Sequence, residues 1–346
     1  MMAEPWTSIC RLAVLGTGFA LPGEPVTTET LIAAMEERFG VTCGREARLL
    51  ATRLDITTRH ICRDFIASGE VARDGDSNAD LAARAVTQAL ADAGLNIGDI
   101  GYLIGHSATP TQPLPPNIAL VADRLGYAGP HIEIRQACTG FANALMIATG
   151  LLLAPGARPV VIVGSETGSL FFDPHRMAFD RGQIVNMVQM GDGAAAIILG
   201  PSHGKRAEIA AAWMGSNGLD RAPGIQRHHG AHEFDHDFAG ILKSGPALFD
   251  AGRAVAARLG YSVGSAALII PHQVSGRVGD MAAARLAVAR DRIFVNADRV
   301  GNTGSAAIWL ALAQLRAGGI DSGNTIVALG AEASKYMYGG FAYVHG

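Results

Sequence analysis

The chain has 346 residues, 49% hydrophobic and only 17% charged, with a net charge of −3. That size and balance suit one large domain, or two that share a core, and the weak negative charge argues against nucleic acid or an anionic membrane as partner. No apolar run reaches the length of a membrane span. The four cysteines (Cys10, Cys43, Cys62, Cys138) have no paired spacing and follow no secretory signal, so reduced thiols in the cytoplasm are expected.

Residues 9–18 read as a first strand running into a glycine turn. Gly16-Thr17-Gly18 suggests a dinucleotide site, but no third glycine opens a helix and Pro22 follows at once, so that reading is rejected. The pattern predicts a helix over 28–39, capped by Thr27 or Thr28. Residues 40–78 are polar, basic in places, and expected to be irregular. A helix is expected over 80–93, with apolar positions at 81, 85, 86, 89 and 90 and Gly94 as its stop. A strand over 100–104 leads to Gly105-His106-Ser107. A loop carrying Pro110, Pro113, Pro115 and Pro116 then precedes a helix ending near 125.

The rest of the chain is organised around residues 131–153. Ile132 and Ile134 alternate as in a strand, and the Ala-, Leu- and Met-rich run after Gly140 reads as a buried helix. Cys138 lies between them. A cysteine at such a turn has its sulfur near the first unpaired N–H groups of the helix, which favours thiolate. A buried structural cysteine is the competing reading of this stretch alone.

Residues 159–164 form an apolar strand ending in Ser165-Glu166, and 191–199 enter another buried strand through a glycine turn. The region 217–240 is loose. Its His228, His229, His232 and His236 are expected in a solvated loop rather than on a metal. A helix over 243–259 and a strand over 267–270 follow, leading to Pro271-His272-Gln273. After another helix come a strand at 292–296, then Gly301-Asn302-Thr303-Gly304 and a buried helix over 305–315. The last strand, 325–329, ends at Gly330-Ala331-Glu332.

The two halves repeat each other. Leu103-Ile104-Gly105-His106 matches Ile269-Ile270-Pro271-His272, Cys138-Thr139-Gly140 matches Asn302-Thr303-Gly304, and Val163-Gly164-Ser165-Glu166 matches Leu329-Gly330-Ala331-Glu332. The offsets are 166, 164 and 166 residues. Alternating strands and helices imply largely parallel sheets with helices on their faces. Two such halves about a pseudo-twofold axis bring Cys138, His272 and Asn302 together.

At these residues the chain resembles the thiolase superfamily, and within it the β-ketoacyl-acyl-carrier-protein synthase III group. The resemblance rests on Gly16-Thr17-Gly18 with Leu21-Pro22, Arg59-His60, Ala137-Cys138-Thr139-Gly140-Phe141, Gly164-Ser165-Glu166, Asp180-Arg181-Gly182, Gly191-Asp192-Gly193-Ala194, Pro271-His272-Gln273 and Gly301-Asn302-Thr303. A Cys-His-Asn triad sets it apart from elongating ketosynthases, which use two histidines. Degradative thiolases need a second cysteine near the C-terminus, and no cysteine follows Cys138.

The resemblance implies an α/β fold of five layers, αβαβα, built from duplicated halves. Residues 1–200 would form the N-terminal half with an inserted cap and Cys138, and 201–346 the C-terminal half with His272 and Asn302. It implies decarboxylative Claisen condensation of an acyl thioester, through acyl-Cys138, with malonyl-acyl carrier protein, to give a 3-oxoacyl product. His272 and Asn302 would donate to the extender's thioester oxygen. The backbone N–H groups of Cys138 and Ala331 would hold the oxyanion. Lys243 and Arg277 match basic positions for carrier-protein docking. A homodimer is implied, with Leu114 of the loop 109–117 reaching toward the partner. No cofactor or metal is expected; acyl-CoA or acyl carrier protein serves as substrate. Two alternatives share the fold: acyl transfer from Cys138 to an alcohol or amine, and condensation of a dicarboxylic acyl group as in pimeloyl synthesis for biotin. The chain departs from the group at Gly330-Ala331-Glu332-Ala333, where three glycines and a phenylalanine are usual.

Overall fold

The computed structural model describes residues 4–9, 11–65, 72–202, 204, 207–227 and 234–346. β1 (Trp6–Ser8) and β2 (Leu12–Ala20) open the chain, and β3 (Val26–Thr27) leads into α1 (Thr28–Phe39). Thr27 Oγ1 accepts from the Thr30 N–H at 3.1 Å, so Thr27 is the cap. The expected irregular segment instead contains α2 (Gly44–Leu54). Ala47, Leu50, Ala51 and Leu54 recur at helical spacing and pack with α1; the arginines between them masked the pattern. After β4 (Thr58–Arg59), α3 (Asn78–Ala93) starts at a capping box in which Ser77 N–H donates to Asp80 Oδ2 at 3.0 Å.

Next come β5 (Tyr102–His106), α4 (Asn117–Leu125), β6 (His131–Ile134), α5 (Gly140–Leu152), β7 (Val160–Glu166), α6 (Gln183–Gln189) and β8 (Gly193–Pro201). The rest of the chain supplies β9 (Glu208–Ser216), β10 (Ile225–Gln226), β11 (Asp235–His236), α7 (Phe238–Arg258) and β12 (Leu268–Pro271). It closes with α8 (Val278–Leu286), α9 (Ala297–Val300), α10 (Ala307–Gly318), β13 (Thr325–Glu332) and β14 (Met337–Val344).

One expected strand is absent and two unexpected ones are present. The segment 292–296 is not a strand; only Ile293 bridges to Ile269. β9 and β14 were not foreseen. Their alanines and glycines are weak strand formers, and tertiary contact overrides that preference. The Trp213 ring of β9 lies so close over Gly340 of β14 that no side chain fits there.

Strand pairing repeats between the halves. In the first, β5 runs parallel to β6 and β7, β7 antiparallel to β8, and β8 antiparallel to β2. In the second, β12 runs parallel to β13, β13 antiparallel to β14, and β14 antiparallel to β9. The two sets join where Leu12 and Ala13 pair with Ile209 and Glu208. α5 and α10 fill the middle, packed between both sets of strands. α3 and α4 cover the first set, and α7 and α8 the second. These are the five layers of the thiolase-like arrangement. α1, α2 and α6 form a separate apolar cluster around Leu31, Met35 and Met187, which places a cap beside the strand ends.

The middle layer is tight. Gly164 on β7 lies so near the carbonyl of Ser305 that a methyl group cannot be added without moving the start of the α10 segment. Gly164→Ala is expected to cost about 1–3 kcal/mol of stability. Urea unfolding measures it, and an unchanged midpoint would contradict this packing.

Candidate active site

Cys138 is half-buried, one residue before Thr139, which caps α5. The helix is held down by Phe141, Leu145, Ala148 and Leu152, all buried in the central core. Its first residue is glycine because a Cβ at Gly140 would lie 2.7 Å from Nδ1 of the buried His106.

The start of α5 is claimed by a carboxylate. Thr139 donates its N–H at 2.9 Å and its hydroxyl at 2.7 Å to the same oxygen, Oε2 of Glu332. Ser334 donates to the other oxygen. Gln136 Nε2 donates to Thr139 Oγ1 at 2.8 Å, and Gln136 Oε1 accepts from Asn143. This arrangement corrects the expectation of a thiolate favoured by the helix start. Burial above all, then the charges of Glu332 and Glu166, push the Cys138 thiol well above its ordinary range. Cys138 therefore rests as a thiol at neutral pH.

His272 follows the last residue of β12 and donates its backbone N–H to Leu329 O at 2.8 Å. The side chain is buried, and burial pulls the imidazole down to about 4, so the ring is neutral at pH 7. Among the described residues its Nδ1 has no hydrogen-bond partner. Gln273 pins this loop. Its Oε1 accepts from the N–H groups of Asn296 (2.7 Å) and Ala297 (3.1 Å), and its Nε2 donates to Phe294 O at 3.1 Å.

Asn302 is fixed at both backbone atoms. Its N–H donates to Gln189 O at 2.8 Å, and its carbonyl accepts from Gly191 at 3.2 Å. Its side-chain Oδ1 accepts from the Gly304 N–H at 3.1 Å, which leaves Nδ2 as the donor available to a bound molecule.

Glu166 mirrors Glu332. Its Oε2 accepts from the N–H (2.9 Å) and hydroxyl (2.6 Å) of Ser305, and its Oε1 from Ala108 N–H (3.0 Å) and Thr109 Oγ1 (2.6 Å). The Thr139–Glu332 and Ser305–Glu166 clamps correspond at an offset of 166 residues. By this correspondence the counterpart of Cys138 is Gly304, not Asn302. Asn302 lies two residues earlier and reaches the site by its own turn. Both carboxylates were visible in the sequence only as a repeated strand ending; their role as clamps was missed.

A cavity of about 140 Å³ is lined by Ala137, Glu166, Met190, Asn302 and Gly304, next to the turn that carries Cys138. A second cavity, of about 310 Å³, is lined by Asp180, Gln183 and Asp237, and His236 borders both. His236 stacks on Phe238 with ring centres 5.1 Å apart. His228, His229, His232 and Cys10 lie outside the described residues. Ala331 is buried within β13, opposite Tyr338 in the β14 ladder, so the usual glycine loop is replaced here by a continuing strand. Lys243 and Arg277 are exposed, near the starts of α7 and α8. Leu114 is 81% exposed. No described helix is long and apolar enough to cross a membrane.

Removing the charge on Glu332 lowers the cost of ionising Cys138. Glu332→Gln is therefore expected to shift the pH profile of Cys138 alkylation by iodoacetamide toward lower pH. Peptide mapping across pH reads the shift, and an unmoved profile would show that Glu332 does not act on the thiol.

Two family profiles match the chain. The one described as 3-oxoacyl-[acyl-carrier-protein] synthase III covers residues 132–218, and its C-terminal companion covers 256–341. A 3-oxopimeloyl-[acyl-carrier-protein] synthase of Rhodothermus marinus is 33% identical, over 88% of this chain and 85% of that protein. A β-ketoacyl-[acyl-carrier-protein] synthase III of Neisseria gonorrhoeae is 28% identical, over 95% of this chain and 96% of that protein. The solved structure of a tetronic acid condensing enzyme superimposes with a TM-score of 0.84 at 25% identity, covering 96% of this chain and 99% of that one. With the turn that carries Cys138 inside the first profile and His272 and Asn302 inside the second, the chain belongs to the 3-oxoacyl-[acyl-carrier-protein] synthase III family of the thiolase fold, enzymes of the transferase class.

Proposed function

We propose that the chain condenses an acyl group, held as a thioester on Cys138, with a malonyl group on acyl carrier protein, giving a 3-oxoacyl product. The observation that carries this reading is the orientation of Asn302: with Oδ1 held by Gly304, its amide N–H is the donor left for a substrate oxygen. In the first step Cys138 Sγ bonds to the acyl carbonyl, the donor's C–S bond breaks, and the donor leaves as a thiol. His272, neutral at rest, is free to take the Cys138 proton as that bond forms. The malonyl C–C bond then breaks, CO₂ leaves, and the electron pair remains as an enolate-like carbanion. His272 and Asn302 donate to its thioester oxygen, where the charge develops. The carbanion attacks the acyl carbonyl, the acyl–Sγ bond breaks, and Cys138 recovers a proton from solvent, its first having left with the donor thiol. The oxyanion of that step is assigned to the N–H groups of Cys138 and Ala331.

The relatives named for acyl-carrier-protein products support a carrier protein as the extender's bearer. Lys243 and Arg277 are the proposed contacts for its acidic surface. One relative is named for a 3-oxopimeloyl product, which favours a second reading in which the acyl group ends in a carboxylate. A homodimer is part of the proposal. Among the described residues β6 ends the sheet order and no strand pairs with its outer edge, and Ile132, Met146 and Leu153 are exposed.

Cys138→Ala should abolish the acyl adduct seen by intact mass. His272→Ala and Asn302→Ala should still form it, while CO₂ release from malonyl carrier protein falls about 10²–10³-fold. Wild-type CO₂ release by both variants would replace condensation with transfer to an alcohol or amine.

Sedimentation at micromolar protein should give a dimer, and a fully active monomer would remove dimerisation from the proposal. Leu114→Asp should split that dimer or lower its activity; an unchanged, active dimer would confine Leu114 to its own subunit.

A further inference from the structure

The cavity beside Cys138 has a mixed lining, with the apolar Phe171, Phe172 and Met190 and the polar Asn186, Gln189 and His236. α6 carries Gln183, Asn186 and Gln189 at intervals of three, which keeps them near one face. Asp180 anchors this row. Its Oδ2 accepts from Gln183 Nε2 at 3.0 Å, and Gln183 Oε1 accepts from Asn186 Nδ2 at 2.9 Å. The relay fixes how Asn186 faces, with nitrogen toward Gln183 and carbonyl Oδ1 unused. Among the described residues, neither that oxygen nor the Gln189 amide has a hydrogen-bond partner, and Nδ1 of His236 is buried without one. Burial also disfavours charge on His236, so these polar groups are neutral.

An alkyl chain filling this space would strip water from these groups and return nothing. A carboxylate only accepts hydrogen bonds, so it would meet Asn186 Oδ1 as a second acceptor. It would also lie near Glu166, which lines the same cavity, and Asp180 at the end of the relay. Arg227 does not line the cavity; it is exposed, 4.7 Å from the Phe171 ring centre. A hydroxyl gives one hydrogen bond and accepts others, which matches these groups. The volume of about 140 Å³ favours a short chain.

We propose that the acyl group loaded on Cys138 is short and carries a neutral hydroxyl, which donates to Asn186 Oδ1 and accepts from the Gln189 amide. This rests on the acyl-Cys138 reading above and names the substrate class of the same site. It departs from the carboxylate-ended alternative.

The test uses N-acetylcysteamine thioesters of butyrate, 3-hydroxybutyrate, 4-hydroxybutyrate and succinate, with the rate of mass gain on Cys138 as readout and Cys138→Ala as blank. One hydroxybutyryl thioester should react about tenfold faster or more than the butyryl and succinyl thioesters. Gln189→Leu and Asn186→Leu should each lower that ratio about tenfold. Preference of the wild-type enzyme for butyryl or succinyl overturns the proposal without any variant, as does a ratio that survives both substitutions. Failure of every thioester to modify Cys138 would instead overturn the acyl-Cys138 reading, and this inference with it.

Discussion

Each half of the chain holds the start of the other half's central helical segment through a buried carboxylate. Glu332, at the end of β13, takes both donors of Thr139; Glu166, at the end of β7, takes both donors of Ser305. A carboxylate that stays buried without its donors is costly, so each clamp holds its helix start in place while the halves are packed together. The same contacts fix the turn that carries Cys138. They also carry a chemical cost, because both negative charges oppose formation of the thiolate.

The reactive groups therefore sit in a neutral resting state. Cys138 is a thiol, His272 is an uncharged imidazole, and Asn302 has one oriented amide donor. Such a site does not depend on a standing ion pair. In the proposed function its strength lies in donors held in place before charge appears, which need no reorganisation at the moment of reaction. The fold supplies that aim at the ends of the parallel strands, where side chains from several strands converge beyond the backbone ladder. Gln273 is an example of how little freedom remains, since all its polar atoms are spent on the backbone of residues 294–297.

The cap gives the site a second character. α6 packs its apolar side with α1 and α2, and Asn186 and Gln189 line the cavity beside Cys138. Arg59, fully buried, donates to Val188 O near the end of this helix and to Thr28 Oγ1, tying the cap to the strand ends. In the proposed function, acyl recognition belongs to an element outside the duplicated core, separate from the groups assigned to condensation.

Local pattern in the sequence determined the strand–helix rhythm, the cap at Thr27 and the turn bearing Cys138, because each depends on neighbours within a few residues. The candidate triad was legible because residue types at repeated strand ends match those of a known family. The tertiary structure decided what depends on contacts across the chain. α2 emerged where basic residues hid a helical stripe, and β9 and β14 formed from weak strand formers because partners on both sides complete their ladders. Only the folded chain shows that Glu332 occupies the Thr139 N–H, turning an expected thiolate into a thiol, and that Gly304, not Asn302, mirrors Cys138. Those outcomes rest on groups up to 193 residues apart, whose burial and charge act only once the halves are packed together.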